Sequence, residues 1–306
     1  MNAGWVAGSV RAREIAGHRL GSEASRRLSA SGSLEQALRA LAGTVYDRGI
    51  VPGQDLAAAQ HAVAATVLWY LRIMAGWLPQ GGRQLMRVLA GWFEIANVEE
   101  MLDRMAGRPP EASFELGSLQ TAWPRLARSA SPEAVRRVLT ASAWNDPGGI
   151  SELAIRVGMR IRWGQRVCAF GDPAPVWAGR AVALLVAGER FGAGRRFEPS
   201  ISSAAETMLG KTAANAATLD ELKAQLPAQL ACVFDQVDAP RDLWLAEAAW
   251  WARLEREASI LLAKSVLGYP SVLGAVALLA ADARRVQAAL EIAARGGPVE
   301  AYDAVA

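Results

Sequence analysis

The segment Ala205-Glu206-Thr207-Met208-Leu209-Gly210-Lys211-Thr212 satisfies the permissive form of a phosphate-binding loop, with alanine in place of the first glycine. Such a loop works by wrapping backbone N–H groups around phosphates, between a buried strand and a helix. The preceding residues, Glu198-Pro199-Ser200-Ile201-Ser202-Ser203, do not read as a buried strand, and Glu206-Thr207-Met208-Leu209 contains no glycine. A chance match is the better reading, with nucleotide binding through Gly210-Lys211-Thr212 kept as an alternative. Gly188, Gly192 and Gly194 have the wrong spacing for a dinucleotide fingerprint and fit close helix approach or a helix break instead. His18 and His61, the two histidines, have no partners at metal-ligand spacing. Cys168 and Cys232 form no metal spacing and need no pairing, so a reducing cytosol is the simpler reading. No serine, cysteine or histidine sits in a nucleophile motif, and Glu99-Glu100 reads as a solvated helix face. The residues themselves ask for no cofactor, metal or small-molecule substrate.

Arginine is the other chemistry-bearing type. Arg156, Arg160, Arg162 and Arg166 are the densest basic stretch, with Trp163 among them. A basic helix with one aromatic can touch phosphates, but 33 Lys and Arg against 30 Asp and Glu leave a net charge of only +3. A solvated face, or one meeting an acidic partner, fits better than nucleic acid. The eleven tryptophans read as packing residues, with some free to serve as interface anchors.

The elements that must carry these residues are helical. Alanine, leucine and arginine dominate, residues that lose little side-chain entropy in a helix. Turn signals at Gly81-Gly82, Pro109-Pro110, Asn145-Asp146-Pro147-Gly148-Gly149, Gly171-Asp172-Pro173 and Gly296-Gly297-Pro298 separate long periodic stretches, with no run of alternating strands. The class is all-α. At 306 residues the chain should form more than one cooperative unit. Leu56 to Leu71 and Ser265 to Ala281 approach membrane length but fall short of about 20 apolar residues and hold polar or breaking groups, so both are expected to be buried helices. Arginines near the N-terminus stand where a secretory signal needs an apolar run.

A short helical block occurs three times. Ser33-Leu34-Glu35-Gln36-Ala37-Leu38 is echoed by Ser131-Pro132-Glu133-Ala134-Val135-Arg136 and by Thr218-Leu219-Asp220-Glu221-Leu222-Lys223. Each opens on a hydroxyl residue suited to cap a helix, and Gln36 and Glu221 stand at capping-box spacing. A second phase runs through Glu94 and Asn97, then Ala187 and Arg190, then Asp282 and Arg285, again roughly 90 residues apart. Two agreeing phases predict triplication of a helical subdomain, at 1–107, 108–196 and 197–306, with the second copy eroded.

The order of these pieces resembles the C-type central-stalk family of V/A-type ATPases, whose eukaryotic member is the d subunit. Val10-Arg11-Ala12-Arg13 precedes the first capped block and Leu41-Ala42-Gly43-Thr44-Val45-Tyr46, similar to the family's arginine-bearing first helix and "L-x-x-T-x-Y" turn. Phe93-Glu94-Ile95-Ala96-Asn97-Val98, Met101-Leu102 and Ala106-Gly107-Arg108-Pro109 look like its "D-x-x-N" helix and adjoining loop. Gly268-Tyr269-Pro270-Ser271-Val272 stands before Ala281-Asp282-Ala283-Arg284-Arg285-Val286, as the third repeat requires. Only the first repeat keeps both Glu94 and Asn97, and Leu279 and Ala280 stand where relatives tend to be charged. The resemblance implies a non-catalytic funnel of three subdomains with pseudo-threefold symmetry, peripheral on the cytoplasmic face of a membrane. It implies the proteolipid ring and the central-stalk proteins of a rotary ATPase as partners. Arg11, Arg13, Arg156, Arg160, Arg162 and Arg166 are the expected partner-facing residues. A helical scaffold of the same fold without ATPase partners is the other reading.

Overall fold

A computed structural model describes residues 3–264 and 267–305. The regular structure among those residues is all helical, with no strand among them. The all-α expectation holds. Packing divides the chain into two compact units. One holds the described residues up to Met86 together with those from Trp251 onward, and the other runs from Arg87 to Trp250. This partition by compactness differs in kind from a division at 107 and 196, which follows the repeat.

In the first unit, α1 (Ala3–Gly17), α2 (Ser22–Ser29), α3 (Leu34–Ala40) and α4 (Leu56–Trp77) lead into α5 (Gln80–Met105). Ser33 and Asp55 cap α3 and α4 by accepting the amides of Gln36 and Ala58, satisfying donors that no turn of helix can reach. Leu78 is extended ahead of Pro79, where the proline ring disfavours helix, and this separates α4 from α5.

In the second unit, α6 (Trp123–Leu126), α7 (Pro132–Thr140), α8 (Glu152–Cys168), α9 (Ala174–Ala187), α10 (Pro199–Leu209), α11 (Lys211–Ala214), α12 (Leu219–Gln225) and α13 (Ala228–Ala231) follow. Ser131, Ser151 and Thr218 cap α7, α8 and α12. The three predicted hydroxyl caps, Ser33, Ser131 and Thr218, therefore form. The full capping box does not: Glu221 accepts from Ala217, one residue before the cap, and Gln36 returns no bond to Ser33 among the described residues. Helix α8 packs on α9 and α10. Its Gly158 is indispensable, because a β-carbon there would lie 1.7 Å from the Pro147 carbonyl oxygen. A π turn at Gly188–Gly192 ends the α9 run. Gly188 has nothing within 4 Å of a built β-carbon, so this glycine marks the helix break and not a close approach.

Helix α14 (Leu243–Ala263) continues from the second unit into the first, followed by α15 (Tyr269–Arg295) and α16 (Val299–Val305). Helix α15 is the axis of the first unit, packing against α1, α2, α3, α4 and α16 and burying an almost unbroken set of side chains from Ser271 to Leu279. Leu56 to Leu71 lies in α4, and Tyr269 to Ala281 opens α15; Ser265 and Val266 lie outside the described residues. No described helix is long and apolar enough to cross a membrane.

Candidate functional site

The positions that recur in the second sequence phase are among the few buried polar groups of the molecule. Glu94 and Asp282 are both wholly buried, and Asn97 is 1% and Arg285 4% exposed. A buried charge is tolerated only with partners, so the question at each is what holds it.

Glu94, on α5, accepts the Thr121 amide at Oε2 and the Ala122 amide at Oε1, each at 2.6 Å. The Trp144 indole Nε1 donates to Oε1 at 3.0 Å. Ala122 is the residue that opens α6, so the carboxylate takes amides the helix cannot use itself. The turn that aims Trp144 is local. Ser142 Oγ donates to the Leu139 carbonyl and accepts the Trp144 amide, at 2.7 and 3.1 Å. Gly91, one turn before Glu94, leaves room for the rings of Trp144 and Trp163, each 3.1 Å from where its β-carbon would stand. Asn97 completes the grip, donating to the Phe114 carbonyl and accepting the Phe114 amide, at 2.9 and 2.6 Å.

Asp282, on α15, repeats this chemistry in the first unit. It accepts the amides of Leu20 and Gly21 at 2.9 and 2.8 Å and the Tyr46 hydroxyl at 2.9 Å. Gly21 opens α2 with φ +82°, a left-handed conformation that costs glycine little. The anion at the start of α2 also meets the positive end of its dipole. Thr44 Oγ1 donates to the Leu41 carbonyl and accepts the Tyr46 amide, at 2.7 and 3.2 Å, the same turn that places Trp144. Burial, reinforced by the Asp282 charge and hydrogen bond, pushes the Tyr46 hydroxyl well above its ordinary pKa. One turn further on, Arg285 forms an ion pair with Glu255.

The third position departs. Ala187 stands where the carboxylates stand, and it is wholly buried in the apolar cluster that also holds Ala213, Ala214, Ala216 and Phe234. The grip passes to Arg190, which donates from Nη1 to the Ala214 carbonyl and from Nη2 to the Ala216 carbonyl, both at 2.7 Å. Ala214 is the last residue of α11, so a cation meets the negative end of a helix. The buried aromatic beyond α12 is Phe234, which offers no donor, consistent with a site that has no carboxylate to receive one.

The predicted arginines fall into four settings. Arg156 bonds Glu152 at 2.9 Å and Asp103 at 2.5 Å, and Arg160 bonds Glu99 at 2.8 Å, so both tie α8 to α5. Burial pushes the Asp103 carboxyl up, but hydrogen bonds from Arg156 and Arg108 outweigh it and hold it below the usual range. Arg166 lies over the Trp144 ring at 4.6 Å and donates to Thr121 Oγ1; burial lowers its pKa against the opposing pull of Glu94. Arg162 bonds the Asp146 carbonyl and Gln165. In the first unit, Arg11 pairs with Glu14 at 2.6 Å, and Arg13 donates to the Lys264 carbonyl and to Ser271.

The phosphate-loop match is helix where the chemistry needs an open loop: Ala205 to Leu209 belong to α10, with Ala205 and Leu209 buried. Among the described residues no cluster of three or more His, Cys, Asp or Glu is placed to hold a metal. Trp144 is the functional residue that sequence reasoning missed. Leu139-x-x-Ser142-x-Trp144 has the spacing of Leu41-x-x-Thr44-x-Tyr46, with one hydroxyl and one aromatic donor in place of another. No protein-family model matches the sequence, and no curated protein matches it significantly.

Proposed function

We propose that this chain is the non-catalytic coupling component of a V/A-type rotary ATPase, built from three helical repeats at 1–107, 108–196 and 197–306. In this reading the repeats form a funnel of pseudo-threefold symmetry, peripheral on the cytoplasmic face of the proteolipid ring, that holds the foot of the central stalk. The chain contributes no chemistry. It passes torque between the stalk and the ring during proton or sodium transport.

One observation carries the reading. Each recurring stretch supplies one polar side chain that grips the backbone ahead of a hydroxyl-capped helix: Glu94 before α7, Asp282 before α3 and, three residues past the matching Ala187, Arg190 before α12. Each later helix thus holds the next block in sequence, and the last holds the first. That cyclic order is what a closed three-repeat body requires. Such a body must be stiff, and buried polar groups whose partners are all supplied fix segments in one geometry, while dense packing transmits strain with little compression.

Within this reading the arginine set supplies the charge toward polar partner surfaces or anionic headgroups, with Arg11 the most open of those that pair, its side chain 38% exposed. Isolation of the tagged protein from gently solubilised native membranes tests the function. The proteolipid ring and the central-stalk proteins should be recovered with it, and Arg11→Glu should weaken that recovery. A clean preparation with neither partner would overturn the coupling role.

A further inference from the structure

One predicted arginine, besides the partner-facing role expected of it, also lines a cavity. Arg162 sits on the wall of an open cavity of about 620 Å³ in the second unit, with Gln165, Cys168, Thr207, Met208 and Leu230. That volume lies in the range of small-molecule sites, which combine an apolar lining with a few fixed polar groups.

The polar wall is rigidly built. Arg162 Nε donates to the Asp146 carbonyl and Nη1 to Gln165 Oε1, both at 3.0 Å. Gln165 Nε2 passes the chain on to Thr207 Oγ1 at 2.6 Å and to the Ala204 carbonyl at 2.8 Å. The guanidinium is therefore oriented before any ligand arrives, and its Nη2 makes no hydrogen bond among the described residues. Its charge also lacks a direct carboxylate partner, although the Asp146 carboxylate feels it. Arg156 and Arg160 on the same helix each bond a carboxylate directly, whereas Arg162 has no ion pair among the described residues. The nearby Asp146 carboxylate is already held by Arg136 at 2.9 and 2.7 Å. Met208 and Leu230 supply the apolar part.

We propose that this cavity binds a small aliphatic monocarboxylate, its head on Arg162 Nη2 and its chain against Met208 and Leu230. One guanidinium without a direct ion pair suits a monoanion, and a preset donor lowers the ordering cost of binding. The inference does not rest on the coupling role: Arg162 belongs to the arginine set that role uses, but the cavity and its hydrogen bonds are read without any partner.

The two cysteines report on it. Cys168 lines the cavity, and Cys232 does not. Burial pushes the Cys168 thiol up, so alkylation by iodoacetamide is followed at mildly alkaline pH on the intact protein, by mass spectrometry of each site. Hexanoate at ten times its half-protecting concentration should slow Cys168 by about tenfold, as occupancy dictates, and leave Cys232 unchanged. Hexan-1-ol at the same concentrations should protect little, and Arg162→Met should abolish protection by hexanoate. No slowing at Cys168, equal slowing of both cysteines, or equal protection by hexan-1-ol would each overturn the proposal. The comparison of acid with alcohol needs no variant, so it stands even if Arg162→Met fails to fold.

Discussion

At Glu94 a buried anion holds the amides that open a short helix, whereas at Arg190 a cation holds the carbonyls that close one. The two residues lie in stretches that the second sequence phase sets in register, three positions out of step. The charge on each follows from which end of the short helix it meets, because unsatisfied amides attract an anion and unsatisfied carbonyls a cation. With Ala187 at the matching position, the grip has the opposite polarity and the same task. The two sites also differ in exposure. Glu94 is wholly buried with three donors on it, while Arg190 is half-buried with two acceptors. That difference sets an order of expected effects.

Glu94→Ala should be the most damaging change, because it strands two amides and the Trp144 indole in a dry interior. The expected loss is about 3–5 kcal/mol in urea unfolding, as for removal of one partner from a buried charged network. Glu94→Gln keeps one acceptor and should lose roughly half of that. A loss below about 1 kcal/mol for Glu94→Ala would break the comparison, since the carboxylate would then hold nothing. Arg190→Ala should cost about 2 kcal/mol, and Arg190→Lys should recover only part, since an ammonium lacks the planar fork that spans two carbonyls.

Tyr46→Phe sharpens the parallel between the two carboxylates. It removes one of three donors from Asp282 and should cost about 1 kcal/mol near neutral pH. Its pH dependence has a definite sign. Tyr46 is raised above the ordinary tyrosine value near 10, so the contribution of its protonated form is complete below that pH and is lost as pH rises beyond it. The stability gap between wild type and Tyr46→Phe should therefore narrow above pH ~10, measured by urea unfolding across that range; a gap that widened would contradict the assignment. The smallest effect belongs to the ion pairs between α8 and α5. Asp103→Asn should cost about 1 kcal/mol or less, and less still in high salt. Because Asp103 is held below the usual carboxylate range, its contribution is present above that range and fades as pH falls through its folded value.

The legible part of the fold was its local chemistry. Ser33, Ser131 and Thr218 could be read as caps because a cap joins a side chain to an amide three residues away, within one short stretch of sequence. Helical class followed from composition for a similar reason. The spacing of Glu94 and Asp282 was visible too, but their partners were not. Thr121 lies 27 residues from Glu94, and Tyr46 lies 236 from Asp282, distances over which periodicity carries no information. The arginines on α8 stood out as a cluster, yet whether each is neutralised depends on Glu99 and Asp103 of another helix. Capping-box spacing misled in detail because Glu221 reaches one residue past the cap, a choice of rotamer and backbone that spacing does not encode.

The claim beneath all of this is that two buried carboxylates hold the starts of short helices through their first amides. Hydrogen exchange of Leu20, Gly21, Thr121 and Ala122 tests it most directly, in wild type and in Glu94→Ala, which removes both acceptors. The account predicts strong protection of all four amides in wild type, with protection lost at Thr121 and Ala122 and kept at Leu20 and Gly21 in the variant. Exchange of Thr121 and Ala122 at open-loop rates in the wild-type protein would contradict it.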